Sequence, residues 1–460
     1  MLTMPDHALV GLIDPASLRL GPDVPPRHGQ DALRLPFMLP DALLLPRDTQ
    51  DVSDMLRLCR ARGLRVVVQG GLTGLAGGAH PKRGEVALSL ERMRGVEEVD
   101  ADCATLTALA GTPLQEAQDA AEAAGFMLPI DLGSRGSCNV GGVVATNAGG
   151  NHVIRYGMTR RHVLGLEAVL PDGTILRRLN KMTKNNAGLD WTQLLIGAEG
   201  TLGIITRVVF ALQPSPGAVQ TALVSVPDFP AALALLRRGA RTLPGGWLTF
   251  EAMWREFVDL AIDLVGVAPP LPRGADLWLL LEATGDDPAL ERLLEAALTD
   301  GLVLDAVLAA SEAQRKQIWA LRESPYEYHH KIPRMLGFDV SVPRNQMHDA
   351  AEAVRTAMRE TLPDERIALF GHVGDSNLHV IATLPERGES VAKARIEALV
   401  YGAVAARGGS ISAEHGIGTA KRAWLHLSRT PEELALLRQL KRAVDPDGLL
   451  NGDRVLPDLA

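Results

Sequence analysis

Hydrophobic and polar positions follow two periodicities along the chain, one typical of helices and one typical of strands, and they predict helices interleaved with strands. Residues 49–59 carry apolar side chains at helical spacing, and the β-branched run 64–69 that follows is typical of a short buried strand. The same reasoning predicts further strands at residues 207–212, 221–226 and 277–282. It predicts further helices at residues 289–300, 347–361 and 389–406. The pattern after residue 217 therefore favours an antiparallel sheet covered by helices, within an α+β fold.

Two apolar runs, 366–371 and 378–383, flank a short polar turn and predict a β-hairpin. Gly374 and Asp375 supply the turn residues. His372 and His379 stand at the ends of the two runs, so we expect them to be cross-strand neighbours.

At 460 residues the chain is too long for one ordinary core, and two or three domains are expected. Hydrophobic residues make up 46% and charged residues 22%, as in a globular enzyme. The formal charge of -8, with scattered arginines, argues against a nucleic-acid partner. The sequence shows no secretory signal and no apolar stretch of membrane-spanning length, so we expect a cytoplasmic protein. The cysteines Cys59, Cys103 and Cys138 lack Cys-x-x-Cys spacing, which argues against a thiolate metal site.

Three glycine-rich segments lie beside predicted strands, at residues 70–79, 129–150 and 197–206. Small residues over such lengths let backbone amides approach a large ligand, and a phosphate-bearing cofactor fits that description. Neither Gly-x-Gly-x-x-Gly opening a βαβ unit nor a P-loop is present, which excludes the nicotinamide-type Rossmann and triphosphatase interpretations. One such segment alone could be a flexible surface loop. Three such segments together predict a dinucleotide-binding site formed by separate loops.

His372, His379 and Glu414 form a ligand set suited to a divalent transition metal, and His415 beside them can move a proton. Glu414 and His415 lie in the glycine-rich stretch 408–418, where irregular backbone lets adjacent side chains point differently. The alternative is a pair of surface histidines beside an Asx-type turn.

The three glycine-rich segments closely resemble the FAD-binding (type 4) domain of the vanillyl-alcohol oxidase and p-cresol methylhydroxylase (PCMH) superfamily. The histidine hairpin and Glu414-His415 narrow the resemblance to its D-2-hydroxyacid dehydrogenase branch, nearest the D-2-hydroxyglutarate and D-lactate dehydrogenases. This resemblance runs from about Pro46 to the C-terminal segment 445–456. It implies a PCMH-type, two-subdomain FAD-binding domain at residues 1–215. A substrate-binding cap domain with the metal site is implied at 216–425, and a segment returning to the FAD domain at 426–460.

The resemblance also implies roles for individual residues. His415 is the general base, and His372, His379 and Glu414 hold Zn²⁺ or a similar divalent ion. FAD is expected to be bound without a covalent bond, although His80, Cys138 and His152 lie where such bonds occur in the superfamily. The expected FAD contacts are Gln69, Gly70, Gly71, Leu72, Thr73, Gly74, Pro129, Asp131, Leu132, Gly133, Ser134, Gly136, Ser137, Gly141, Gly142, Ala145, Thr146, Asn147, Gly149, Arg155, Tyr156, Gly157, Glu199, Gly200, Gly203, Ile204 and Asn451.

Arg322 matches the family's substrate-carboxylate arginine, and Asn377 its substrate contact; a solvated helix-end arginine is the alternative for Arg322. Two other positions depart from the family. Tyr326 replaces a small hydroxyl residue, although it is retained as an expected substrate contact, and Gly337 replaces a lysine. The residues that could substitute as anchors for an anionic substrate are Tyr328, His329, His330, Lys331 and Arg334.

The leading hypothesis is an FAD- and metal-dependent dehydrogenase that oxidises a D-2-hydroxy acid and passes electrons to an acceptor other than oxygen. D-2-hydroxyglutarate is the first-choice substrate, and D-lactate or a larger, less charged 2-hydroxy acid is the alternative. An electron-transfer flavoprotein, a quinone or a cytochrome could accept the electrons, and a homodimer is a further expectation. The other hypotheses are a non-catalytic FAD subunit of a multi-chain oxidase and a non-redox transferase that uses flavin.

Overall fold

The computed structural model describes residues 8–285, 288–332 and 334–457, apart from the side chains of Tyr326 and His329. The strands are β1 (Leu18–Leu20), β2 (Ala42–Leu44), β3 (Arg65–Gln69), β4 (Glu85–Ser89), β5 (Val96–Asp100), β6 (Thr105–Leu109), β7 (Phe126–Met127), β8 (Val163–Val169), β9 (Ile175–Arg178), β10 (Ile204–Ala211), β11 (Gln213–Pro214), β12 (Val219–Val226), β13 (Trp247–Trp254), β14 (Leu277–Thr284), β15 (Asp305–Leu308), β16 (Met335–Ser341), β17 (Ile367–His372) and β18 (Asn377–Thr383).

The helices include the four that the hydrophobic spacing predicts, at residues 49–59, 289–300, 347–361 and 389–406. They are α1 (Thr49–Ala61), α2 (Leu114–Ala123), α3 (Val140–Thr146), α4 (Val153–Tyr156), α5 (Thr192–Leu195), α6 (Phe229–Thr242), α7 (Arg255–Leu260), α8 (Ala289–Thr299), α9 (Glu312–Arg322), α10 (Pro325–Lys331), α11 (Met347–Thr361), α12 (Glu389–Ala405) and α13 (Pro431–Val444). Among the helices in the described ranges, none is long and apolar enough to cross a membrane.

The chain forms two compact units. The first comprises Met1–Gly150, Gly157–Ser215 and Glu414–Ala460, and the second comprises Asn151–Tyr156 and Pro216–Ala413. This division differs from the predicted boundaries in two places: α4 belongs to the second unit, and the chain re-enters the first unit at residue 414 rather than 426. The early return has a physical cause, because the backbone N–H groups of residues 417 and 418 donate to a carboxylate of the first unit.

The first unit contains two main sheets with a shared apolar core, besides the two-stranded pair of β7 and β11. One has the strand order β1-β2-β4-β3, in which β4 pairs in parallel with both β2 and β3; the other is antiparallel, in the order β5-β6-β10-β8-β9. β4 is buried along its whole length, as expected for a strand with a neighbour on each side. The predicted α+β class is confirmed, with both parallel and antiparallel pairing present.

The C-terminal segment completes the first sheet. Leu450 forms a parallel bridge with Val66 of β3, and the Asn451 side-chain oxygen accepts a hydrogen bond from the Val68 N–H at 2.9 Å. β3 would otherwise be an open edge with unpaired backbone groups, so this segment satisfies donors that the sheet itself leaves free.

The second unit contains a seven-stranded antiparallel sheet in the order β15-β12-β14-β13-β17-β18-β16. All eight residues of β13 are buried, because the strand lies in the middle of the sheet and has neighbours on both sides. α6, α8, α11 and α12 accompany the sheet with buried apolar faces, so the predicted helix-covered antiparallel sheet is confirmed.

The predicted histidine hairpin forms between β17 and β18. β17 and β18 pair so that Phe370 lies opposite His379, while His372 lies opposite Glu251 of β13. The turn between the strands includes the 3-10 segment Val373–Asp375 and Ser376, whose φ of 78° is left-handed. His372 and His379 are therefore diagonal neighbours rather than a direct cross-strand pair, with ring centroids 5.3 Å apart.

Candidate active site

The glycine loop after β3 packs backbone against backbone in the first unit. A Cβ on Gly71 would come within 2.0 Å of the Ser137 carbonyl oxygen and 2.9 Å of the Cys138 Cα. Only glycine permits that approach, which holds two of the predicted FAD loops side by side.

A cavity of about 720 Å³ lies beside these two loops. Gly70, Gly71, Leu72 and Ser137, all expected FAD contacts, line part of its wall. The sequence analysis did not identify the remaining lining residues, most of which lie at residues 26–37, a stretch without periodicity or a glycine motif. They are Pro26, Arg27, Gln30, Asp31, Ala32, Arg34, Phe37, Glu91 and Asn139. The first unit thus brings together a glycine-rich wall and arginines suited to a phosphate-bearing ligand.

Four expected FAD contacts that are not glycine hold left-handed backbone. They are Leu72 (φ 59°), Asn147 (φ 49°), Glu199 (φ 51°) and Asn451 (φ 44°). This conformation costs L-residues about 1–2 kcal/mol each and concentrates at functional sites. Their clustering in these segments supports a ligand cradle there.

Two expected FAD contacts use their side chains within the protein instead. The Gln69 amide nitrogen donates to the His28 and Ala79 carbonyls, at 3.0 Å each. The Asn451 amide nitrogen donates to the Glu199 carbonyl at 2.6 Å. These side chains brace the loops, so any contact of Gln69 or Asn451 with a cofactor is through the backbone.

The Glu199 carboxylate accepts the N–H groups of Ile417 and Gly418, at 2.7 and 2.8 Å. Burial raises the pKa of Glu199, while these two donors act in the opposite direction. Glu199 thereby fixes the backbone immediately after His415.

Arg155 and Tyr156, also expected FAD contacts, belong to the second unit rather than the first. The Arg155 guanidinium donates to the Thr284 hydroxyl of β14 at 3.0 Å, and its carbon lies 5.2 Å from the centre of the Tyr156 ring. These two residues therefore pack within the compact unit that contains β14.

Asp31 is the unusual titratable group of the cavity wall. It is 5% exposed, and its Oδ2 has no hydrogen-bond partner among the described residues. Burial raises the pKa of this carboxyl to about 6, against the lowering effect of the backbone N–H groups of Leu33 and Ala79.

In the second unit, one buried carboxylate joins a predicted metal ligand to the predicted carboxylate-binding arginine. Glu251 is fully buried on β13; its Oε1 lies 2.5 Å from His372 Nδ1, and its Oε2 accepts Arg322 Nε–H at 2.8 Å. Burial opposes ionisation of Glu251, but His372 and Arg322 outweigh it and lower its pKa to about 2. The carboxylate is therefore ionised at neutral pH. No local motif marked Glu251, because the contact spans β13 and β17.

Phe370 provides an aromatic platform next to this group. The His379 ring stacks on it at 4.8 Å between centroids, and the Arg322 guanidinium carbon lies 4.6 Å from the ring centre. Arg322 Nη2 also lies 3.4 Å from His372 Nε2. The predicted residues His372, His379 and Arg322 are thus brought together on one face of the sheet, and Arg322 is only 9% exposed rather than a solvated helix-end residue.

Asn377 is 3% exposed, and neither its Nδ2 nor its Oδ1 has a hydrogen-bond partner within the described part of the chain. A buried amide that lacks partners costs about 1–3 kcal/mol, so such groups require a reason. A polar ligand that donates and accepts hydrogen bonds would satisfy both atoms.

The residues proposed as substitute contacts for an anionic substrate do not come together around Arg322 and His372. The Tyr328 hydroxyl bonds to Ser324 at 2.9 Å inside an apolar core, and burial raises its pKa to about 12. Arg334 contacts Glu386 at 3.4 Å. His330 and Lys331 are exposed. The side chains of Tyr326 and His329 lie outside the described residues, and Gly337 is exposed with open space at its Cβ position.

Glu414 and His415 both lie at the start of the returning segment of the first unit, and both are half-buried. Glu414 Oε1 accepts the Gly150 N–H at 2.8 Å, and a Cβ on Gly149 would come within 2.5 Å of the same oxygen. Glu414 therefore lies against the end of the second glycine-rich segment, where Gly149 is an expected FAD contact.

Two family models match the chain. Residues 40–178 match the FAD binding domain model, and residues 215–455 match the model of the FAD linked oxidases, C-terminal domain. The chain is 40% identical over 421 residues to the mitochondrial D-2-hydroxyglutarate dehydrogenase of Bos taurus, covering 90% of this chain and 76% of that protein. It is 36% identical to the D-2-hydroxyglutarate dehydrogenase of Xanthomonas citri pv. viticola, covering 92% and 91%.

Among solved structures, an alkyldihydroxyacetonephosphate synthase has the same fold. The two chains superpose with a TM-score of 0.71 at 18% sequence identity, covering 96% of this chain and 83% of the synthase. That similarity supports the predicted two-domain PCMH-type architecture.

Proposed function

The chain belongs to the FAD-linked oxidases, and on that premise we propose that it oxidises a D-2-hydroxy acid to the 2-oxo acid. It is an FAD-dependent oxidoreductase. The first-choice substrate is D-2-hydroxyglutarate, because both curated relatives above carry that name. D-lactate is the second candidate, because Gly337 offers no side chain to bind a second carboxylate.

The observation that carries the proposal is the buried group around Arg322. A guanidinium that is 9% exposed lies 3.4 Å from His372 Nε2, with an unpartnered amide on the same hairpin. A cation placed on His372 Nε2 would repel Arg322 unless an anion lay between them. A 2-hydroxy acid supplies that anion through its carboxylate, and its hydroxyl gives Asn377 a partner.

His372, His379 and Glu414 are proposed to hold Zn²⁺ or a similar divalent ion. The donor set fits such an ion: Glu251 accepts from Nδ1 of His372, so the lone pair that can coordinate a metal lies on Nε2, the atom that Arg322 Nη2 approaches to 3.4 Å. A bound divalent ion would act as a Lewis acid that lowers the pKa of the substrate hydroxyl.

FAD is proposed to be held without a covalent bond by the glycine loops of the first unit, with Gly71 and Ser137 at their closest approach. Bound FAD supplies the hydride acceptor that no amino-acid side chain provides. The crowding at Gly71 and the left-handed Leu72 and Asn147 support a site in which backbone amides face the cofactor.

His415 is proposed as the base that removes the substrate hydroxyl proton. A histidine suits this step because its ordinary pKa lies close to neutral pH. Arg322 binds the carboxylate and Asn377 the hydroxyl, and together they orient the carbon that loses its hydride. The electron acceptor, an electron-transfer flavoprotein or a quinone, and the cytoplasmic location stay predictions.

The test is anaerobic reduction of the bound flavin, followed by the loss of its absorbance near 450 nm. We expect D-2-hydroxyglutarate or D-lactate to bleach the purified protein, the L-enantiomers to fail, and a chelator to abolish the bleaching until Zn²⁺ is restored. A protein that lacks flavin, or a flavin that no 2-hydroxy acid reduces, would contradict the proposal. The second of these results would favour a non-catalytic FAD subunit.

A further inference from the structure

Glu251 connects two residues that serve different parts of the proposed site. It lies on β13, directly opposite His372 of β17 in the register of the sheet. One of its oxygens faces His372 Nδ1 at 2.5 Å, and the other accepts Arg322 Nε–H at 2.8 Å. Both oxygens of a fully buried carboxylate are therefore engaged by the two residues.

This arrangement determines which atoms of each partner remain for ligands. Each oxygen of Glu251 faces an N–H donor, and this geometry selects the histidine tautomer with the proton on Nδ1 and the lone pair on Nε2. It also occupies Arg322 Nε, so the Nη groups are the ones that can bind a substrate carboxylate; Nη2 lies 3.4 Å from His372 Nε2. A histidine of the opposite tautomer would present N–H to the metal and could not bind it.

We infer that Glu251 is a positioning residue that couples the metal ligand His372 to the substrate-binding Arg322. The inference rests on the proposed function above. Its consequence is that metal affinity and substrate affinity depend on the same carboxylate, although Glu251 itself touches neither ligand. Outer carboxylates of this kind change metal affinity by about 10–100-fold when they are removed.

The same sheet contains a matched control in Glu282 of β14. It is also fully buried, and its Oε1 accepts hydrogen bonds from the Trp319 indole and from Arg315 Nε, at 2.8 and 2.9 Å. Both of those donors lie on α9, the helix that carries Arg322. Glu282→Gln therefore perturbs a buried carboxylate and the same helix, while the Glu251 contacts to His372 and Arg322 remain.

The experiment measures Zn²⁺ affinity of the metal-stripped, FAD-containing protein, without substrate, by competition with a coloured chelator. We expect Glu251→Gln to weaken Zn²⁺ binding by about 10–100-fold, because its amide group places a donor against His372 Nδ1–H or Arg322 Nε–H. Glu251→Asp, which keeps the charge, should recover part of that loss. Glu282→Gln should bind Zn²⁺ within about threefold of the wild type. After Zn²⁺ is restored at a saturating concentration, the KM for D-2-hydroxyglutarate should be at least tenfold higher for Glu251→Gln than for the wild type.

Equal Zn²⁺ affinity of Glu251→Gln and wild type, with His372→Ala much weaker, would overturn the inference and leave the proposed function standing. Equal weakening by Glu251→Gln and Glu282→Gln would also overturn it, since a general distortion would then explain both. If 2-hydroxy acids fail to reduce the flavin, the proposed function fails, yet the Zn²⁺ comparison still tests the link between Glu251 and His372. If Glu251→Gln does not fold, the comparison uses Glu251→Asp, and an affinity equal to that of the wild type refutes the inference.

Discussion

The imidazole of His379 stacks on the ring of Phe370, with 4.8 Å between the centroids and 27° between the planes. This contact follows from the register of the hairpin, in which the two residues are direct cross-strand partners. The same ring lies under the Arg322 guanidinium. One aromatic side chain therefore restricts the rotamers of a proposed metal ligand and of the proposed carboxylate-binding residue.

Phe370→Leu is expected to weaken Zn²⁺ binding and to raise the KM for the 2-hydroxy acid, each several-fold. Leucine keeps most of the buried apolar volume but loses the stacking and cation–π contacts, worth about 0.5–1.5 kcal/mol each. Phe338→Leu is the control, because Phe338 is buried on β16 of the same sheet and packs edge-to-face on Tyr401 instead. Zn²⁺ titration and urea unfolding of both variants check the prediction, which equal Zn²⁺ affinities of the two would contradict.

Arg322→Lys is expected to raise the KM for the 2-hydroxy acid by about 10–100-fold with a smaller change in kcat. Lysine keeps the charge but cannot bind Glu251 and a substrate carboxylate at once through a planar fork. Arg315→Lys on the same helix is the control, since Arg315 bonds to Glu282. Steady-state kinetics with an artificial electron acceptor measure both constants. A KM for Arg322→Lys no higher than that of Arg315→Lys would exclude a role in substrate binding.

Gly71→Ala is expected to lower FAD affinity at least tenfold, because its Cβ would meet the backbone oxygen of Ser137 at 2.0 Å and push the two loops apart. Gly78→Ala in the same loop is the control. Its Cβ would come no closer than 3.7 Å to Glu199 Oε2, an ordinary contact. The measurement is fluorescence quenching of FAD added to the flavin-free proteins. Wild-type affinity in Gly71→Ala would show that the closeness of these loops is irrelevant to the cofactor.

His415→Asn is expected to lower kcat by about 10²–10⁴-fold while FAD content and Zn²⁺ affinity stay near the wild-type values. Asparagine keeps a polar side chain but cannot accept the hydroxyl proton. His426→Asn provides the control, because His426 is exposed farther along the same returning segment and bonds to its own Ala423 carbonyl. Rapid-mixing measurements of flavin reduction report the chemical step directly. A reduction rate within threefold of the wild type would remove His415 from the mechanism.

Asp31→Asn is expected to change how stability depends on pH. The folded pKa of Asp31, about 6, lies above its usual value, so the folded state holds the proton more tightly. This contribution is fully present below about pH 4 and is lost as the pH rises to about 6, an effect of the order of 2–3 kcal/mol. Asp31→Asn stays neutral, so its free energy of unfolding should increase relative to that of the wild type as the pH rises from about 4 to about 6.

Asp51→Asn should behave in the opposite way. A hydrogen bond from Arg47 lowers the pKa of Asp51, so its contribution to stability is present at neutral pH and is lost on acidification. Urea unfolding of the three proteins between about pH 3 and pH 7 gives the comparison, because the contribution of Asp51 is lost only below the ordinary pKa of 3.8. Parallel curves for Asp31→Asn and wild type would contradict the raised pKa of Asp31.

The elements of the second unit follow closely from hydrophobic spacing, as α11 shows: residues 347–361 were predicted and Met347–Thr361 is observed. Long amphipathic helices and fully buried strands carry a strong local signal. The register of the hairpin carries no such local signal, because His372 and His379 can approach each other in more than one strand pairing. The four residues between β17 and β18, with left-handed Ser376, decide between those pairings.

The sequence also predicts the histidines, Arg322 and Asn377 as site residues, whereas no sequence pattern indicates Glu251 or Asp31. Glu251 acquires its role only when the sheet places β13 beside β17, and nothing near it in sequence distinguishes it from Glu282. Asp31 likewise lies in a stretch without periodicity, and only folding buries it. Motifs reveal residues whose spacing is constrained locally, whereas supporting residues are selected by contacts between distant strands.

The return of the chain at Leu450 and Asn451 has a consequence for the timing of synthesis. β3 emerges from the ribosome early, but the residues that bridge it and bond to Glu199 emerge roughly 240 residues after the end of β10. At a synthesis rate of about 5–20 residues per second, tens of seconds pass before Leu450 and Asn451 can pair with the edge strand β3 of the first unit. Stable capture of flavin should therefore be a post-translational event, and a stalled nascent chain that ends before residue 449 should be colourless.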